Sequence, residues 1–139
     1  MRKLLVLMGT VLLTFAVSAQ DDITGVWLNA DGNGKIEIYE QGGTCHGKLV
    51  WLSEPHDRNG QPKKDRNNPD KKLRDREMIG VHLLSDLTYT DGVWSGEIYS
   101  PKRGKTLNVE VSLPAQDDLK LEVSFRGFSR TQNWTRDSL

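Results

Sequence analysis

Cysteine is nearly absent from this chain. Cys45 stands alone, so no internal disulfide can brace the fold, and a buried core must hold it. Histidine is scarce too, and His46, His56 and His82 never fall at the short spacings of a zinc site. An excess of one charge is also missing. The 19 Lys and Arg meet 19 Asp and Glu, and setting Arg2 and Lys3 aside leaves 17 against 19, a formal charge of −2. A nucleic-acid partner calls for a basic excess, so that class is set aside. After Val17 no apolar run is long enough to cross a bilayer as a helix. Amphipathic helical periodicity of useful length is lacking as well.

What is present begins with an export pattern. Arg2 and Lys3 precede an apolar run from Leu4 to Val17, and Val17-Ser18-Ala19 supplies small residues for cleavage. The expectation is a signal peptide over 1–19 and one domain over 20–139, in the periplasm or secreted. A chain of that length buries roughly two-thirds of its unfolded surface. No cysteine stands directly after the cleavage pattern to take a lipid anchor.

From Gly25 onward, apolar residues recur every second position. GVWLN is the first such segment, and Asp31-Gly32-Asn33-Gly34 turns it into KIEIYEQ. Gly42-Gly43 leads to TCHGKLVWL. After a long charged connection, Ile79 to Leu87 reads as a fourth strand, and Thr90-Asp91-Gly92 turns it into VWSGEIYS. KTLNVEVSLP, LKLEVSFRG and SRTQNWTR complete a set of eight. Eight short antiparallel strands in simple succession predict an all-β up-and-down barrel, with a β-sandwich as the alternative. Eight strands enclose a space that side chains can fill or that one small ligand can share. Both possibilities stay open at this point.

Two sets of residues carry resemblances. Gly25-x-Trp27 in the first strand and Trp134-Thr135-Arg136 in the last resemble the calycins, the lipocalin and fatty-acid-binding group. There, the first-strand tryptophan floors the barrel and a last-strand arginine crosses it. Guanidinium stacks on an indole face while its donors satisfy backbone carbonyls. Wider still, GVW, a Cys-Gly-bearing strand ending in VWL, NPD, LRDR, WSGEIYSPKRGKT and a terminal QNWTR are similar to the exported bacterial family Domain of Unknown Function 2147. This chain has Cys45-His46-Gly47 where that family has Cys followed directly by Gly. The resemblance implies a lipocalin-like barrel and an envelope or secreted location, and it implies no reaction.

Catalytic chemistry finds no support. Cys45 and His46 are adjacent on a strand, face opposite ways, and cannot act as nucleophile and base. No nucleophile elbow is present. As a calcium loop, Asp65 onward puts Asp70 at the glycine position and Arg76 at the bidentate glutamate, so that motif fails. No catalytic residue, metal ligand or cofactor is assigned.

The connection from Leu52 to Ile79 is far longer than a hairpin loop, and such loops are often lids. Asn68-Pro69-Asp70 predicts a turn, with Asp70 capping a helical turn over Lys71 to Arg74 and with Leu73 and Met78 pinning it to the barrel. Arg74 or Arg76 then either orders the loop or greets an acidic head group at a pocket mouth. On the last strand Phe128, Arg130, Gln132, Trp134 and Arg136 share a face, so Arg130 and Gln132 enter the lumen unless a bulge after Gly127 inverts the register. Tyr39, Trp94 and Tyr99 are candidate aromatic lining. The expectation is a non-enzymatic binder of a small apolar or amphipathic molecule, and the alternative is a structural or interaction module with a filled barrel.

Overall fold

The computed structural model describes residues 9–12 and 22–139. Residues 13–21, including the expected cleavage point, lie outside them. Among the described residues no helix is long and apolar enough to cross a membrane.

The alternation in the sequence becomes eight strands: β1 Gly25–Leu28, β2 Gly34–Gln41, β3 Thr44–Leu52, β4 His82–Thr90, β5 Val93–Ser100, β6 Lys105–Ala115, β7 Asp118–Phe125 and β8 Phe128–Asp137. Each pairs antiparallel with its chain neighbours, and β1 pairs with β8 through Trp27 and Arg136 to close the barrel. Closure leaves no free sheet edge. The sandwich alternative is excluded.

Period-two faces explain the core. Ile36 and Ile38 of β2, Val109 and Val111 of β6, Leu119 and Leu121 of β7 and Trp134 of β8 are all buried inside. Each such side chain contributes about 1.5–3 kcal/mol by leaving water. β4 departs from the alternation: Leu84 and Leu87 are both buried although three residues apart. A bulge between Ser85 and Thr88, with Asp86 at φ 55°, inserts the extra residue that turns both inward. Gly96 on β5 permits it, because a Cβ there would lie 2.5 Å from the Ser85 carbonyl oxygen.

The expected start of the fourth strand at Ile79 is corrected. Gly80 takes φ 97°, Ile79 is exposed, and the strand begins at His82. The connection from Ser53 to Val81 packs as an ordered loop. It contains a short 3-10 turn, Lys71–Leu73, whose first turn Asp70 caps by accepting from the Lys72 amide at 3.0 Å. Met78 is buried and pins the loop, while Leu73 remains exposed and does not.

Candidate functional site

The barrel has two unlike ends. At one, the chain entering β1, the β2–β3 and β4–β5 turns and the β6–β7 turn surround Trp27, which has no exposed surface. The Trp27 indole donates to the Ile23 carbonyl at 2.9 Å. The Arg136 guanidinium lies 4.2 Å from the Trp27 ring centre. It donates to the carbonyls of Thr24 at 2.9 Å, Gln116 at 2.9 Å and Asp22 at 3.1 Å. A cation over the indole face, with its donors spent on otherwise unpaired carbonyls, makes a sealed floor. Gly25 takes φ 123°, and a Cβ there would stand 3.1 Å from the guanidinium. Gly25, Trp27 and Arg136 thus form one closure, with Trp134 buried above it.

Beside the floor lies a small cavity of about 350 Å³ bordered by Asp22, Cys45 and Trp94. Burial, then the nearby Glu40 and Asp22 charges, push the Cys45 thiol up. A thiol held protonated is a poor nucleophile. His46 lies on the outer face of the strand, where its ring accepts from the Asp86 amide at 3.3 Å.

The other end is open. There a cup of about 770 Å³ is walled by Leu49, Leu52, Met78, Ile98, Leu107 and Val123 and is rimmed by Phe125, Phe128 and Arg130. Below it the barrel is filled by Trp27, Ile36, Leu84, Val111, Leu119 and Leu121. The interior is therefore a packed base with a cup above it, and the hollow and filled expectations each describe one half. β7 and β8 pair without a register shift from Asp118 opposite Thr135 to Phe125 opposite Phe128. No bulge intervenes after Gly127, so Arg130, opposite Val123, and Gln132, opposite Leu121, both border the cup. Gln132 accepts from the Trp134 indole at 3.3 Å. Among the described residues the Arg130 side chain makes no hydrogen bond or ion pair, while its backbone pairs with β7 at Val123.

The long loop is organised around Asp65, a fully buried carboxylate. It accepts from the Tyr99 hydroxyl at 2.7 Å, the Asn68 amide at 2.8 Å and the Arg76 guanidinium at 2.8 and 3.0 Å. Burial alone would raise its pKa, but these hydrogen bonds and the Arg76 charge together hold Asp65 below the usual carboxylate range. Tyr99 is pushed up to about 12, first by burial and then by the Asp65 carboxylate that its hydroxyl serves. Asn67 donates to the Lys102 carbonyl at 3.1 Å and ties the loop to the β5–β6 turn.

These contacts reassign several candidates. Arg76 is held by Asp65, and Arg74 donates to the Asn68 carbonyl at 2.7 Å. Neither borders the cup, and both are engaged within the loop. Tyr39 lies on the outer face of β2, where its hydroxyl meets His82 at 2.5 Å, and it borders neither the cup nor the cavity by the floor. Trp94 borders the small cavity by the floor, and Tyr99 borders the cup with its hydroxyl already engaged. Asp65 escaped the sequence reading as a hub, although an Asp three residues before Asn68 within the charged stretch was its visible trace.

The family described as "Uncharacterized protein conserved in bacteria" (DUF2147) matches residues 25–136. Among solved structures, a chain from Helicobacter pylori described as protein HP1028, belonging to the lipocalin family, is similar at a TM-score of 0.74 and 26% identity. That likeness covers 86% of this chain and 85% of the other. No curated protein matches the sequence.

Proposed function

Since the chain belongs to the bacterial family DUF2147 and carries a lipocalin-like barrel, we propose that it binds a small amphipathic acid without acting on it. The observation that carries this reading is the unpaired Arg130 on the wall of an open apolar cup of about 770 Å³. Ligand pockets commonly measure about 300–1,000 Å³, with few polar groups among apolar ones. The apolar body lies against Leu49, Ile98, Leu107 and Val123, and the acid head pairs with Arg130. Asp65, the buried carboxylate, is saturated by its partners and does not border the cup, which favours binding over acid–base chemistry. Export belongs to the same proposal. It rests on the Leu4–Val17 run and the small residues after it, and it is checked by the amino-terminal sequence of protein recovered from the host's envelope, expected near Gln20.

The test is displacement of a fluorescent fatty-acid probe by a carboxylic acid and by the alcohol of equal chain length. Wild-type protein is expected to prefer the acid. Arg130→Gln should lose about tenfold or more for the acid and little for the alcohol, as for one charge-assisted hydrogen-bonded pair. Equal losses for both compounds, or none, would remove Arg130 from the site. Absence of probe binding, together with an empty protein in native mass spectrometry, would favour the second reading, an interaction module. The packed lower half of the barrel supports that reading.

A further inference from the structure

Charge is divided between the two ends of the barrel. The β5–β6 and β7–β8 hairpin ends at the mouth carry Lys102, Arg103, Lys105 and Arg126, with Arg130 two residues into β8, and the β1–β2 turn beside them carries one carboxylate, Asp31. The long loop adds eight cations and six carboxylates, which does not reverse that sign. At the floor stand Asp22, Glu40, Asp91, Asp117 and Asp118, with Arg136 as the cation among them. A nearly neutral chain is thereby given an electric polarity along the barrel axis.

The basic end also presents aromatic surface. Phe128 is 81% exposed and Phe125 is 41% exposed. Lys105 Nζ and Arg126 Cζ lie 5.1 and 5.2 Å from the Phe125 ring centre. Cations gathered around exposed rings match a membrane–water boundary, where rings enter the headgroup layer and ammonium and guanidinium groups meet phosphate. A stable protein interface uses a fitted patch of ~800 Å² per partner. A lipid surface needs no such area, because it supplies phosphates wherever the cations fall.

We propose that the mouth of the barrel docks on an anionic phospholipid surface, with Phe128 among the headgroups and Lys102, Arg103, Lys105 and Arg126 on phosphates. The polarity of the barrel turns the mouth toward the bilayer as it approaches. Docking goes beyond the ligand reading and does not depend on what the cup holds.

The test is co-sedimentation of the purified protein with vesicles of phosphatidylcholine alone or mixed with phosphatidylglycerol. Binding is expected on the mixed vesicles only, and it should weaken as salt rises. Lys105→Gln and Arg126→Asn should each lower partitioning about fivefold, as for one cation leaving an anionic surface. Neither residue borders the cup, so fatty-acid probe binding should be unchanged in both variants. Phe128→Ser should cost about another fivefold by withdrawing the ring. Asp91→Asn with Asp118→Asn, at the floor, should bind vesicles at least as well as wild type. Equal binding to both vesicle types, no binding to either, or indifference to the Lys105 and Arg126 substitutions would overturn the proposal. Failure with vesicles beside intact probe binding would count against docking alone and leave the ligand reading standing.

Discussion

Trp27 and Tyr99 show how far a single side chain commits its neighbours. Trp27 is wholly buried beneath Arg136, and truncating it opens a space that the closed floor cannot collapse to fill. Trp27→Ala should therefore lose about 3–5 kcal/mol in urea unfolding, the range for a buried large aromatic. A change below about 0.5 kcal/mol, the scale of an ordinary surface substitution, would show that the floor is not a rigid closure. Tyr99 makes a spectroscopic prediction. With its pKa pushed up to about 12, a late tyrosinate absorbance step should appear near that pH and vanish in Tyr99→Phe. The sign of the linked stability follows. The raised pKa stabilises the fold below the unfolded value of about 10, and that contribution is lost as pH climbs from about 10 toward 12. Tyr99→Phe should accordingly flatten that alkaline loss.

The long loop is organised around Asp65 and packs at Asn67 against Gly104 of the β5–β6 turn. Asp65 titrates below its ordinary value, so its contribution is present above about pH 4 and is lost as pH falls below that. Protease cutting between Ser53 and Val81 should rise in acid before the strands melt. Gly104 takes φ 60°, and a Cβ there would lie 1.9 Å from the Asn67 carbonyl oxygen. Gly104→Ala should lift the loop from the β5–β6 turn, lower the melting temperature and expose the same cleavage sites. Unchanged cleavage would mean that the loop is fixed elsewhere. The sequence made part of this element legible. Asp70 as a cap and Met78 as a pin follow from local rules, because a cap needs only its own first turn. The Asp65–Tyr99 pairing does not, since 34 residues and a strand separate the partners. That Arg74 and Arg76 order the loop was one of the two readings open from sequence, and it agrees with their partners, Asn68 and Asp65, which lie 6 and 11 residues away in the same loop.

For the molecule as a whole, alternation of apolar residues was enough to read eight strands and their order, and the calycin resemblance carried by Gly25, Trp27, Trp134 and Arg136 pointed to the floor. Alternation failed at β4, where a bulge breaks the period to bring Leu84 and Leu87 inward. Depth was also illegible, because which half of a barrel is filled depends on how side chains from all the strands meet at one level. The pairing of β1 with β8, between residues more than a hundred positions apart, carries a consequence for the order of events in folding. No shorter piece of the chain contains both halves of the seam, so the cylinder cannot close until its last strand is available. Hairpins from β2 onward pair residues close in the chain, whereas the four-residue β1 gains its second partner only with β8. Non-local pairings of this kind fold on the millisecond-to-second scale. A chain threaded through a membrane from its amino terminus would thus remain an open sheet, pliable and unlatched, until Arg136 had emerged to fasten it.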